Sequence, residues 1–338
     1  MIEGILEISD SFHHGISLLL EAVAAPFYAL KNPLSRVYLG YLLGGILVAL
    51  VAVSFSWAKV DGLRKMFSRE VWLHRSSLLD LRLMMVRALL SSLLFTPFLL
   101  ESSESALWMH SQLKYRLGAG PLAGLGGAET EPTFFSLLVL AGISFIAEDG
   151  ARYLMHRLFH RSSWLWSLHQ VHHSAEVLTP FTVYRSHPFD GLVMKTVGAL
   201  ALGVSVGVAA WFFGYRLQVW QVMGVHGLSA LWIFFGANLR HSHIFLRYPA
   251  WLEWVFLSPA AHQLHHSRTN DESAANFGAA LSIWDRMGGT FRRPQADDKV
   301  EFGLDEKEMN HSQKVHSVIF GPFAEWALRI RKILRPVD

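Results

Sequence analysis

From Val37 to Trp57 the chain runs without a charged residue, and a run of about 20 apolar residues matches the hydrocarbon thickness of a bilayer. The pattern predicts a membrane-spanning helix there. A second apolar run covers Leu83 to Leu100, with Arg87 near its start, and a third covers Thr133 to Ala147. The third is short, so its helix is expected to continue through Glu148 to His160. A fourth run, Leu192 to Phe213, ends at the turn Gly214-Tyr215-Arg216, and a fifth runs from Leu217 to Ala237. Ahead of the first span, residues 1–30 mix Ile, Leu and Phe with Glu3, Glu7, Asp10 and Glu21. That mixture reads as an amphipathic helix lying at the interface, and a signal peptide is disfavoured because no basic start precedes the apolar residues. Near the other end, Phe320, Phe323, Trp326 and Ile330 alternate with Arg329, Arg331 and Lys332, which predicts an amphipathic surface anchor over 315–334.

Composition agrees with a membrane protein. The chain has 338 residues, 51% of them hydrophobic, and a mean hydropathy of +0.28, too apolar for an ordinary soluble domain. Charge then orients it. The link between the first two spans carries Lys59, Arg64, Lys65, Arg69, Arg75 and Arg82, whereas the next link sets Glu101, Glu104, Glu129 and Glu131 against Lys114 and Arg116. The basic link is the cytosolic one by the positive-inside rule. Five spans then place residues 148–191 and 238–338 together on the cytosolic face, of a bacterial inner membrane or, in a eukaryote, of the endoplasmic reticulum. The net charge of +3 gathers beside apolar spans and suits anionic lipid headgroups, so no nucleic-acid partner is expected. Gly118 to Gly127 falls in the outer link and reads as a flexible loop rather than a phosphate cradle.

The chain has no Cys, which excludes disulfides, iron–sulfur clusters and a thiolate-ligated haem and leaves His and carboxylates as metal ligands. Its 18 His are unevenly placed. His156 and His160 are separated by about 40° around a helix, and His169, His172 and His173 share an arc of about 100°. The same H-x-x-H-H spacing returns at His262, His265 and His266. Imidazoles converging on one spot would repel one another as cations, and neutral imidazole is a common ligand for transition metals. The spacing therefore points to a metal centre. Scattered residues such as His13, His14, His74, His110, His311 and His316 carry no such pattern and read as ordinary interfacial or surface groups.

At these boxes the sequence resembles the fatty acid hydroxylase/sterol desaturase superfamily of integral-membrane oxygenases, whose pattern is H-x-x-x-H, H-x-x-H-H and a distal H-x-x-H-H. Glu148, Asp149, Arg152 and Tyr153 lead into His156-Arg157, Asn238-Leu-Arg-His241-Ser-His243 precedes the last box, and Asn276-Phe277-Gly278 with Trp284-Asp285-Arg286-Met-Gly-Gly-Thr290 closes the core. The resemblance spans about residues 134–291 and is specific for the superfamily, not for a substrate. It implies an all-α integral membrane bundle with a cytosolic, His-rich helical cap holding a dimetal centre. The expected ligands are His156, His160, His169, His172, His173, His241, His262, His265 and His266. Nine imidazoles exceed one ion's capacity, and a His-only site richer than the four ligands of structural zinc favours iron, so two iron ions are expected. The resemblance also implies O2 as co-substrate, oxidation of an unactivated C–H bond in a lipid or sterol-like substrate entering from the bilayer, and a separate electron donor, a reductase with a ferredoxin or cytochrome b5 type carrier.

Organisation follows the same lines: residues 1–132 form the interfacial helix and first two spans, 133–291 the histidine-box core with three further spans, and 292–338 a tail with the amphipathic helix. Asp149 is expected either to accept from a ligand's free ring N–H or to pair with Arg152 or Arg185. His187 is a candidate ligand or substrate-side donor, with capping of the fourth span as its plainer role. His226 lies within the fifth span, where an ionisable group faces a cavity or a partner. His243 stands outside the first ligand set, because related methylsterol oxidases carry Gly at its place. Hydroxylation leads, desaturation on the same centre is the alternative, and metal binding for transport is a third reading of another class, disfavoured because no intramembrane carboxylate relay accompanies the His.

Overall fold

The computed structural model describes residues 2–90, 101–123, 131–216, 227–268, 274–304 and 313–334, with side chains from residue 15 onward. His226, residues 91–100 of the second expected span and 217–226 of the fifth lie outside the described residues. What is described is all helical apart from two isolated β-bridges. The helices are α1 (Ile2–Lys31), α2 (Leu39–Ser54), α3 (Val60–Met66), α4 (Arg69–Trp72), α5 (Arg75–Leu90), α6 (Ser102–Leu117), α7 (Phe134–Arg161) and α8 (Ser163–His173). They continue with α9 (Pro188–Phe213), α10 (Gly227–Phe234), α11 (Ala250–Glu253), α12 (Pro259–His265), α13 (Ile283–Met287) and α14 (Val315–Leu334). Two 3-10 turns, Pro180–Tyr184 and Ala237–His241, interrupt the series.

Two helices are long and apolar enough to cross a bilayer, α7 with 28 residues and α9 with 26. At 1.5 Å per residue α7 extends about 42 Å, longer than the roughly 30 Å of a hydrocarbon core, and its apolar part passes without a break into the polar stretch from Glu148 onward. That bears out the expectation that the third apolar run continues into the first histidine box. The first expected span is shorter than its apolar run: α2 has 16 residues, about 24 Å, because Ser56 turns the chain with φ 59°. Its outer face, Leu39, Leu43, Leu47 and Leu50, is exposed, as are Phe134, Phe135, Leu138 and Ile146 of α7, the pattern of helices that meet lipid.

Close backbone approach organises the bundle. A Cβ on Gly203 of α9 would lie 2.4 Å from the Ser102 carbonyl of α6, and one on Gly207 would lie 2.5 Å from that of Ala106. The G-x-x-x-G pair therefore seats α6 against the C-terminal half of α9, and the link after the second apolar run is partly a packed helix. Leu140 and Ala141 of α7 complete this core with Ala106, Leu202 and Val206. Gly44 gives α2 the same intimacy with the Phe234 carbonyl of α10. At the other end α14 docks on α8: Ser167 and Gln170 donate to Glu325, and the Trp326 indole donates to the Trp164 carbonyl. The expected surface anchor thus also braces a helix that carries three histidines, while Phe320, Ile333 and Leu334 remain exposed.

Candidate metal centre

Local signals bring the boxes together. Ser162 ends α7 and caps α8, its hydroxyl accepting from the Leu165 N–H, so the chain folds back between His160 and His169 and the histidine faces of the two helices meet. Ser258 caps α12 through the Ala261 N–H, with Pro259 in the first turn. The 3-10 turn Ala237–His241 supplies His241. The result is two sets of side chains able to hold a metal ion: His156, His160, His169, His173 and His265, and His172, His241, His262 and His266, the ligand nitrogens within 4.8 Å of one another in each. The sets adjoin, with His173 and His266 stacked at 4.6 Å between ring centroids.

In four of the rings the partner of the outer nitrogen fixes which way the lone pair points. The Nδ1–H of His156 donates to the Phe277 carbonyl at 2.7 Å, that of His172 to Arg185 O at 3.0 Å and that of His265 to Ala275 O at 2.8 Å. His169 Nδ1 lies 3.0 Å from Asp190 Oδ2. With the proton on Nδ1, the bare Nε2 points inward, which is the tautomer a metal needs. Burial, reinforced by neighbouring imidazoles, pushes His173, His241, His262 and His266 well below the usual imidazole range, and brings His172 down to about 3. Those five rings are held neutral at physiological pH.

The arrangement fits a cation and little else. His160, His169 and His173 each bury an Nε2 with no hydrogen-bond partner, a costly state for a polar atom. His265 and His156 set Nε2 against Nε2 at 3.0 Å, and with both protons on Nδ1 two lone pairs face each other. His241, His262 and His266 form a triangle of Nε2 atoms with sides of 3.1, 3.1 and 3.3 Å. Two nitrogens about 2.1 Å from one ion and at right angles would be about 3.0 Å apart. The spacings are those of ligand edges.

The fatty acid hydroxylase family model matches residues 141–290. Over that segment, less than half of the chain, the sequence is similar to the fatty acid hydroxylase family. Its relatives include an ornithine lipid hydroxylase of Rhizobium tropici, 32% identical over 162 residues that cover 48% of this chain and 44% of that protein. The alkylglycerol monooxygenase of Danio rerio is 30% identical over 165 residues, 48% of this chain and 32% of that one. The Delta(7)-sterol 5(6)-desaturase of Candida glabrata is 26% identical over 253 residues, 74% of this chain and 59% of that one. The chain thus spans less than two thirds of the length of each. No solved structure matches it.

Within the hydroxylase-family segment the expected ligands converge, but several companions sit elsewhere than expected. Asp149 hydrogen-bonds to neither a histidine nor Arg152 or Arg185: its carboxylate accepts from the Ala280 and Leu281 N–H groups and the Trp284 indole. Arg152 pairs with Glu148, and Arg185 with Asp80 at 3.2 Å in a fully buried bridge. Asp149 therefore acts on the loop that supplies carbonyls to His265 and His156. Asp285 works beside it, accepting from the Phe277 and Gly278 N–H groups, while Asn276, at φ 58°, donates to the Ala261 and Arg292 carbonyls. His187 lies outside both metal-holding sets and caps α9, its Nδ1 accepting from the Phe189 N–H and its Nε2 lying 3.1 Å from Ile319 O. His243 points away from the centre toward Phe302. Sequence reasoning missed Asp190. Its signal was an acidic residue in the first turn of α9, after His187-Pro188, but its partner His169 is 21 residues away.

Proposed function

We propose that the nine imidazoles hold two iron ions and that the chain is a membrane-bound, O2-dependent monooxygenase hydroxylating a C–H bond of a lipid or sterol-like substrate. The observation that carries this reading is the division of the histidines into adjoining sets of five and four with their bare nitrogens inward. Five nitrogens exceed the four of a closed tetrahedral zinc site, whereas iron accepts five or six ligands and can keep an exchangeable position. The chemistry such ions supply when bound is reductive activation of O2 and removal of hydrogen from an unactivated C–H bond. One oxygen atom enters the product, the other leaves as water, and two electrons and two protons are consumed, so a separate reductase with a ferredoxin or cytochrome b5 type carrier serves the centre.

The chain's own residues orient and protect. Phe277, Ala275 and Arg185 hold three rings by their carbonyls and Asp190 holds a fourth, so the ligands need little rearrangement to take up metal. Burial around them excludes water. Substrate enters from lipid, residues 133–291 form the catalytic core, and the charge bias of the first link puts the centre on the cytosolic side of a bacterial inner membrane, or of the endoplasmic reticulum. Desaturation on the same centre is the second reading, favoured by the sterol desaturase relative that covers 74% of this chain. Metal transport is disfavoured because the ligands meet in one buried place rather than along a path.

The test is iron content and product together. Anaerobically prepared protein should hold close to two irons per chain, and His173→Ala or His266→Ala should lose iron and activity together. Full iron and activity in either variant would remove that residue from the ligand set. Mass spectrometry of lipids from cells with and without the gene should show one added oxygen, whereas loss of two hydrogens would establish the desaturase.

A further inference from the structure

One stripe of α7 changes chemistry in three steps, its members three or four residues apart and so on one face. Leu137, Leu138 and Ala141 line an apolar cleft of about 530 Å³ with Leu228, Leu231 and Phe234 of α10. Farther along, Glu148, Asp149 and Arg152 line a second cavity of about 50 Å³ with Arg36, Trp232 and Arg240. One turn beyond Arg152 stands His156. Trp232 and Arg240 also border a narrow space that reaches His262, so the second cavity lies between the apolar cleft and the histidines.

Three guanidinium groups and two carboxylates meet in this cavity, and the carboxylates are already engaged. Asp149 spends both oxygens on the Ala280, Leu281 and Trp284 donors. Glu148 Oε1 accepts from Nε and Nη2 of Arg152 at 2.9 and 2.8 Å. Arg240 gives Nη1 to the Ala279 carbonyl. Arg36 is attracted to Glu148 across this cavity, and the buried Trp232 indole N–H is unpartnered. Burial, and then Arg152 beside it, pushes Arg36 down to about 10. The cavity's three guanidinium groups outnumber its two carboxylates, and a buried N–H left unmatched is costly. An anionic oxygen group matches both, since guanidinium binds carboxylate and phosphate by paired hydrogen bonds. With one water needing about 10–15 Å³ of such space, the cavity suits a group of a few heavy atoms.

We propose that this cavity is an anion subsite that holds the carboxylate or phosphate head of an acidic lipid, with the lipid's hydrocarbon chain in the adjoining apolar cleft. The inference deepens the oxygenase reading and rests on it for calling that lipid the substrate, while the binding it asserts does not depend on turnover. The head would sit about one helical turn from His156.

Full-length protein in phosphatidylcholine nanodiscs, metal-free and iron-loaded, is titrated with laurate, dodecyl phosphate, dodecanol and inorganic phosphate, with empty nanodiscs as blank. Laurate or dodecyl phosphate should bind at least about tenfold more tightly than dodecanol, and Arg36→Gln should weaken the anionic amphiphile about tenfold to hundredfold, the worth of a hydrogen bond to a charged group. Dodecanol should be unaffected, and Arg36→Lys should restore part of the loss. Trp232→Phe, which removes the indole N–H, should weaken the same ligand severalfold and serves alone if Arg36→Gln does not fold. Preference for laurate identifies a carboxylate lipid and preference for dodecyl phosphate a phosphate lipid. The proposal is overturned if charged and neutral amphiphiles bind alike, if the folded variants bind as the parent does, or if inorganic phosphate binds as tightly as dodecyl phosphate. Iron content and product analysis, measured separately, report on the oxygenase reading.

Discussion

Removing the carboxylate behind His169 probes the centre without touching a ligand. Asp190 and His169 are 2% and 5% exposed, and Oδ2 lies 3.0 Å from Nδ1, so solvent screening discounts little. A hydrogen bond to a charged group contributes about 1.5–3 kcal/mol, and a carboxylate in the first turn of α9 adds about 0.3–1 kcal/mol of helix stability. Loss of such an outer partner typically costs about 10- to 100-fold in metal affinity, or roughly 1.4–2.7 kcal/mol, and the two routes agree. Asp190→Asn keeps an oxygen that can accept the Nδ1 proton and should weaken iron binding about tenfold. Asp190→Ala leaves a buried N–H unpaired, frees the ring and should approach a hundredfold. The assay is competition between the anaerobic ferrous protein and a chromophoric chelator, with circular dichroism to confirm folding. A folded Asp190→Ala protein that binds iron within twofold of the parent would refute the claim that Asp190 orients a ligand.

Gly278→Ala would place a Cβ 2.7 Å from the Leu281 carbonyl and 2.9 Å from Asp285 Oδ2. It should cost about 1–3 kcal/mol in thermal or denaturant unfolding and lower iron retention, because the Phe277 carbonyl moves with it; unchanged melting and iron would show that the loop carries no such constraint. Acid should destabilise the metal-free protein in a defined window. The unfolded chain takes up protons as pH falls through the ordinary value of 6.5, while burial and neighbouring rings keep folded His172 neutral to about 3. Stability is therefore fully present above that ordinary value and is lost from there downward. Melting temperatures that rise on acidification would contradict the buried, neutral cluster. Gly203→Leu should separate α6 from α9 and lower the yield of folded protein, since the Ser102 carbonyl occupies the space its side chain needs; normal expression and melting would show that the contact is dispensable.

The clustering of the histidines was legible because helical spacing dictates direction: each box had to present its imidazoles on one side whatever surrounded it, and nine histidines meet in the fold in two sets that could hold a metal. His241 and His243 differ by two residues, yet one joins the centre and the other turns toward Phe302, a choice made by a 3-10 turn that no periodicity announces. The supporting polar groups were less legible because their partners are remote. Asp149 was placed near the chemistry by its motif, but its bonds run to residues 131, 132 and 135 positions later. The apolar runs located α7 and α9 well, whereas the end of α2 was set by a left-handed Ser56 inside an uncharged stretch, where hydropathy has nothing to report.

The two sets of imidazoles draw on the stretches 156–173 and 241–266, and each set mixes the two, joining residues between 69 positions (His172 and His241) and 109 positions (His156 and His265) apart. An ion bound in either is therefore a cross-link in a chain that has no cysteine with which to make one. By the chain-entropy argument for disulfides, closing a loop of about 100 residues is worth up to about 4.7 kcal/mol, and here the clamp can be withdrawn by a chelator. Stripping the metal should lower the melting temperature and raise proteolysis between the two stretches, and returning iron should reverse both. If the proposed irons are the ions bound, the amount of folded protein becomes a readout of iron supply.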